Sequence, residues 1–259
     1  MSMMDRLHKG GNVEYPIMVI YGRPGIGKTT IAAQAPNPIF IETERGLTSP
    51  DLAHVETFGL MQSYDEVLEA LKTIYEHKDK QGWKTIVIDS LDRLNPLIDK
   101  HVCRANNWNT LEEGAYGKGK NLFREEWQKF LTKLIRLRDV SGMGIIMLGH
   151  HATVKVTPPD TDPFTQYTLT LDEKVRHLVV ADSDIVGFAT YPTHTVSTDQ
   201  GFGKKATRAH TEAPVIVLRE SGAQVAKNRY SMPDKVPMSW DELSKYIPAY
   251  NTPTKEKRK

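Results

Sequence analysis

The chain has 259 residues, and its 34 Lys plus Arg against 32 Asp plus Glu leave a formal charge of +2. That balance excludes a global polycation and confines any nucleic-acid surface to local patches. A single cysteine, Cys103, excludes an internal disulfide and a cysteine metal cage and suits a reducing compartment. No apolar run reaches the roughly 18 residues needed to span a bilayer, and the opening MSMMDRLHKGG holds no apolar signal core, so a cytoplasmic protein without a membrane partner is expected.

In chain order, residues 1–15 read as a flexible arm, residues 16–247 as one α/β core and residues 248–259 as a basic tail. The apolar run IMVI at 17–20 reads as a buried strand and leads into GRPGIGKT at 22–29. This fits the phosphate-loop pattern G-x-x-x-x-G-K-[ST] at every fixed position. The candidate nucleotide loop is Gly22, Arg23, Pro24, Gly25, Ile26, Gly27, Lys28, Thr29 and Thr30. Glycines allow backbone N–H groups to ring a phosphate with no Cβ in the way. Lys28 brings a point charge to the β- and γ-phosphates, and the Thr29 hydroxyl is a magnesium ligand, so ATP and Mg²⁺ are the expected cofactors. Residues 30–35 suit a helix whose positive end faces the nucleotide.

A second strand at 39–41 ends in Glu42 and Glu44, and SYDE at 63–66 is a capping box. It opens a helix with Val67, Leu68, Leu71, Ile74 and Tyr75 on one face. A third strand at 85–90 is apolar until Asp89, a second candidate magnesium ligand. The alternation of strand and helix predicts a mostly parallel twisted sheet flanked by helices. Residues 91–121 read as an insertion ending in GAYGKGK, followed by a helix with Phe123, Trp127, Phe130, Leu131, Leu134 and Ile135 on its apolar face. A fourth strand at 144–149 ends at His150 and His151, whose adjacency turns them to opposite faces and disfavours a shared metal. Residues 152–166, with three prolines, read as a loop. Residues 172–181 read as a helix, 184–191 as a strand, 214–219 with 224–230 as a closing antiparallel hairpin, and SWDE at 239–242 as the cap of a last helix.

Taken together, FIETERGL at 40–47, IDSL at 88–91, MLGH at 147–150 and VAKNR at 225–229 resemble the RecA-type recombinase core. The segments GAYGKGK and AKNRYSMP resemble, more narrowly, the phage nucleotide-binding proteins that act as RecA-core single-strand annealing proteins, over about residues 15–247. The resemblance implies a RecA-like P-loop NTPase fold, with Glu44 orienting the attacking water and Asp89 on the magnesium strand. It also implies His150 as a γ-phosphate sensor, and Lys227 and Arg229 as cations reaching a neighbouring subunit's site. A homo-oligomer, ring or filament, follows from that last expectation, with a single-strand-binding protein as a further candidate partner.

Several of these residues have plainer readings. Glu42 competes with Glu44 for the role of base, His150 could be an ordinary polar strand end, and Lys227 with Arg229 could form a basic edge strand. Ser90 stands where chaperone-like ring ATPases place a catalytic Glu, which sends the search for a base to Glu44. Candidate DNA contacts are Lys118 and Lys120 near Tyr116, Lys204, Lys205 and Arg208 near Phe202, and the tail cations Lys255, Lys257, Arg258 and Lys259. The stretch after His150 departs from the family, carrying only Lys155 against Asp160 and Asp162. The expected function is a DNA-stimulated, magnesium-dependent ATPase that binds single-stranded DNA and supports annealing or recombination, in a host cytoplasm if phage-encoded. Helicase-loading or terminase-like motors, and a nucleotide-gated assembly module with little hydrolysis, are the competing classes.

Overall fold

Strand β1 (Ile17–Gly22) is buried along its whole length, and its alternate residues enter two different cores. Ile17, Val19 and Tyr21 face one, and Met18 and Ile20 the other. This is the period-2 consequence of a parallel strand covered on both sides. The computed structural model describes residues 13–199 and 205–251, with side chains described outside 193–211.

The parallel part of the sheet adds β2 (Pro38–Glu42), β3 (Glu56–Leu60), β4 (Thr85–Asp89), β5 (Gly144–Val156) and β7 (Ile185–Thr190) in the order β7-β1-β5-β4-β2-β3. Helices α2 (Tyr64–Gln81), α3 (Leu91–Asn106), α4 (Lys118–Ser141) and α5 (Glu173–Asp182) cover the first face. The second face is covered by α1 (Lys28–Ala33) and α6 (Trp240–Ser244). The expected mostly parallel α/β architecture is what the chain adopts. Ser63 caps α2 by accepting from the Glu66 amide at 3.2 Å, as the SYDE box requires. Ser239 precedes α6 without a side-chain cap bond.

Three expectations are corrected. The presumed loop at 152–166 is largely a β-hairpin: β5 runs on past His150 to Val156 and pairs antiparallel with β6 (Phe164–Leu169). The prolines Pro158, Pro159 and Pro163 occupy its turn, where no ladder N–H is required. The insertion after Asp89 is mainly α3, which contains Pro96, a residue that argues against a helix when only the sequence is read. The C-terminal strands do not pair with each other as a hairpin. Instead β10 (Val215–Val217) and β11 (Lys227–Asn228) both pair antiparallel with successive parts of β7, and β10 also pairs with β12 (Lys235–Pro237). Contacts also extend on either side of residues 16–247. Glu14 reaches Arg138 at 3.5 Å, Tyr15 packs edge-on against Tyr250, and residues Pro248–Asn251 form α7.

A separate two-stranded ribbon, β8 (Thr193–Asp199) with β9 (Lys205–Thr211), follows β7. Because β7 runs parallel to β1, with Ala189 beside Gly22, the ribbon springs from the phosphate-loop end of the sheet. The β5–β6 hairpin springs from the same end, since His150 also lies beside Gly22.

Candidate nucleotide site

Where β1 ends, the chain turns through Gly25 and Gly27, whose φ values of 74° and 101° an L side chain rarely adopts. Ile26, the loop's single large apolar residue, is buried in the second core and pins the turn to it. The buried Lys28 folds back so that Nζ donates to the carbonyls of Arg23 at 2.9 Å and Gly22 at 3.3 Å. Burial holds its ammonium below the usual lysine range, while Asp89, Asp92 and Glu44 pull the other way.

Strand β5 lies between β1 and β4, so His150 at its bend falls between the phosphate loop and Asp89. Asp89 is buried and accepts from Thr29 Oγ1 at 2.8 Å. Burial raises its pKa to about 6, opposed first by that hydrogen bond. Gly46 passes against this pair: a Cβ there would sit 2.8 Å from Asp89 Oδ2 and 3.4 Å from Thr29 Oγ1. Two hard oxygen donors 2.8 Å apart at the wall of one cavity fit Mg²⁺. No group of three or more His, Cys, Asp or Glu is placed to hold a metal among the described residues, so phosphate oxygens and water would complete the shell. A cavity of about 310 Å³ joins the loop to Glu44, Asp89 and His150.

Glu44 and Glu42 are separated by their partners. Glu42 is buried and accepts from Thr57 on β3 at 2.7 Å, away from the cavity. Glu44 faces the cavity and accepts from Ser90 Oγ at 2.9 Å. The backbone holds it there, because Thr43 N and Glu44 N both donate to the Asp89 carbonyl, at 2.7 and 3.1 Å. Thr43 Oγ1 adds a bond to the Ser90 carbonyl at 2.6 Å. The ends of β2 and β4 are thus stitched together, across the cis Asp89–Ser90 peptide.

His150 has a partner that sequence reasoning missed. Asp92 Oδ2 accepts from the His150 backbone N–H at 2.7 Å and lies 3.2 Å from Nδ1. Glu44 Oε2 stands 3.9 Å from the same nitrogen. With Nδ1–H donated to Asp92, Nε2 can donate to a phosphate oxygen only when the ring carries a proton on both nitrogens. The signal was faint: an acid in the first turn of the helix after the magnesium strand. Arg45 also lines the cavity and brings a cation that the motif reading passed over. His151 points the other way and packs against Tyr167 and Phe188.

Residues 14–230 match the AAA domain of the AAA_24 family. The chain belongs to that family. The SPbeta prophage-derived uncharacterized protein YorG of Bacillus subtilis (strain 168) is 25% identical over 181 residues, or 67% of this chain, and the chain spans 50% of that relative's length. The crystal structure of the KaiC-like protein PH0186 from Pyrococcus horikoshii OT3 aligns over 91% of this chain and 90% of its own, at 16% identity and a TM-score of 0.42. The AAA domain is a P-loop NTPase.

The remaining candidates of this AAA domain lie elsewhere. Lys227 and Arg229 sit at the opposite end of the sheet from the phosphate loop. Lys227 Nζ donates to the carbonyls of Val180 and Ala181 at the end of α5, at 2.9 and 2.8 Å. Arg229 donates to Asp184 at 2.8 Å. Within one chain they are structural clamps and touch no part of the site. Lys118 and Lys120 are exposed in the first turn of α4, with Lys120 Nζ 3.8 Å from Glu112. Lys205 and Arg208 fall on β9, where only the backbone is described. Lys204, Phe202, residues 1–12 of the expected arm and the tail cations from residue 252 onward lie outside the described residues. Among the described residues no helix is long and apolar enough to cross a membrane.

Proposed function

We propose that this AAA domain hydrolyses ATP and uses the nucleotide state to control binding to single-stranded DNA, in support of annealing or recombination. The observation that carries the reading is the continuity of β5. One strand runs from the core, past His150 at the cavity, into a hairpin beyond the sheet. A change sensed at His150 therefore reaches a surface element without crossing a loop.

In this reading the phosphate-loop amides and Lys28 hold the phosphates, with Lys28 exchanging its carbonyl partners for phosphate oxygens. Thr29 and Asp89 would hold Mg²⁺, which neutralises phosphate charge when bound. Glu44, held by Ser90, orients a water for in-line attack and takes its proton as the new P–O bond forms and the β–γ bridge breaks. His150, oriented by Asp92 through Nδ1–H and carrying a second proton on Nε2, donates to the γ-phosphate and loses that partner when phosphate leaves. The ribbon β8–β9, with Lys205 and Arg208 and rooted beside Gly22, is the preferred contact for the polynucleotide backbone. The prophage origin of the Bacillus relative supports carrying a phage setting over to this chain.

The test is ATPase rate with no DNA, single-stranded DNA and duplex DNA, at several protein concentrations. Stimulation by single strands supports the proposal, and an affinity for them that falls steeply with salt supports an electrostatic contact. Stimulation by duplex alone favours a motor, and absence of turnover favours a nucleotide-gated binding module. Assembly is part of the same proposal. If Lys227 and Arg229 exchange their internal partners for a neighbour's phosphates, inactive Lys227→Ala mixed with inactive Lys28→Ala regains activity. Without rescue their clamping role is the whole of their function.

A further inference from the structure

Helices α2 and α4 leave a groove of about 340 Å³ between them on the outer surface. Its floor is Leu68, Leu71 and Leu137. At its mouth stand Tyr75 and Val140, 49% and 66% exposed, both among the most exposed large apolar side chains of the described residues. The core does not require either, since Val67, Leu71 and Ile74 on α2 and Leu134 and Leu137 on α4 already fill it. The rim is Lys72, Lys133 and Arg136, and no carboxylate lines the groove. Lys72 lies 3.7 Å from Glu69, with both side chains exposed, an arrangement of small energetic weight. Lys133 and Arg136 form no ion pair among the described residues.

We infer that this groove docks an acidic amphipathic segment of another protein: apolar side chains at helical spacing, flanked by Asp and Glu. Apolar anchors would fill the cleft between the helices, in the helix-in-groove manner, while the flanking carboxylates meet the three cations. Charge decides between occupants. The chain's own undescribed segments, residues 1–12, 200–204 and 252–259, each carry net positive charge and would be repelled. A second copy joined by a two-fold axis through this patch would set one cationic rim against another. The groove also leaves the nucleotide site free. Arg138, beside it on α4, is 3.3 Å from Asp184, which holds the Ile17 amide at the start of β1, whereas the phosphate loop follows that strand's other end.

The experiment uses the full chain and a fluorescent probe peptide of about four helical turns, with leucines at i, i+4, i+7 and i+11 and glutamates between them. A second peptide has every glutamate replaced by lysine. Anisotropy titrations are expected to show saturable binding of the acidic peptide alone. That binding should weaken about tenfold or more in Lys133→Glu/Arg136→Glu and in high salt. Both substituted positions are exposed, and matching circular-dichroism melts establish that the variant is folded. Equal affinity for the two peptides, equal affinity of wild type and double variant, or no binding overturns the inference. So does self-association of the wild type that Val140→Asp abolishes in sedimentation equilibrium, which would assign the groove to a second copy.

Discussion

Two aspartates are buried to nearly the same degree at opposite ends of the central sheet, Asp89 at 6% exposure and Asp184 at 7%. Their surroundings differ. Asp184 accepts from the Ile17 amide at 2.9 Å and is flanked by two guanidinium groups, Arg229 at 2.8 Å and Arg138 at 3.3 Å. Asp89 has one hydroxyl donor, the Lys28 ammonium and two further carboxylates in its field, and a cavity in front of it. A buried carboxylate whose charge is matched within the chain holds the fold together. One whose charge is matched only in part is prepared for a further cation from outside, and its pKa, raised first by burial, records the deficit.

The largest expected effects test this contrast directly. Asp184→Ala leaves the buried Ile17 amide without its acceptor and takes one partner from Arg229 and one from Arg138, which keeps Asp139, and should cost about 1–3 kcal/mol of stability in urea unfolding. Asp89→Asn should leave the chain as stable or more stable at pH 7, because a charge held at a cost of about 3 kcal/mol is removed, yet should abolish magnesium-dependent nucleotide binding. Should Asp89→Asn unfold the chain while Asp184→Ala leaves it intact, the assignment of roles is reversed.

The same contrast has a pH signature. The folded pKa of Asp89, about 6, lies above the ordinary aspartate value of 3.8. Its contribution to stability is therefore fully present below about pH 4, declines as pH rises toward 6 and is lost above it. Magnesium affinity should run the opposite way, falling as pH drops below about 6 because the ion must displace a proton. Isothermal titration with Mg²⁺ and a non-hydrolysable nucleotide from pH 5 to 8 measures this. A flat profile contradicts the assignment.

Smaller effects sharpen the distinction within the site. Glu44→Gln should bind nucleotide as wild type does and hydrolyse it about 10²–10⁴ times more slowly, whereas Glu42→Gln should act mainly on stability through Thr57. Asp92→Asn should lower kcat about tenfold with little change in KM, since it weakens the hold on the His150 ring without touching the phosphates. Single-turnover kinetics separates these cases. Equal losses in Glu42→Gln and Glu44→Gln would dissolve the distinction drawn from their partners.

The sequence made the phosphate loop, Lys28, Thr29 and Asp89 legible because each lies on, or just past, an unbroken apolar strand. Local pattern is enough for such residues. It is not enough where the decision depends on a neighbour distant in sequence. Glu44 is distinguished from Glu42 by Thr57, on a strand whose ETFGL composition and exposed residues carry no core signal. Asp92 acquires its role from β5, 58 residues further on, once the sheet order sets that strand beside β4. The partners of β10 and β11 were illegible for a related reason: two short apolar runs joined by a turn read as a hairpin, and only the free edge of β7 separates them. Lys227 donates to the end of α5, and Arg229, itself exposed, donates to Asp184.

The hairpin that prolongs β5 has a mechanical consequence. From His150 to Val156 the extended chain reaches roughly 20 Å, and its ladder with β6 stiffens it into a lever pivoted at the imidazole. A swing of about 10° at that pivot would carry the far end about 3 Å. Changes of angle too small to reshape the cavity are thereby enlarged at the tip of the hairpin.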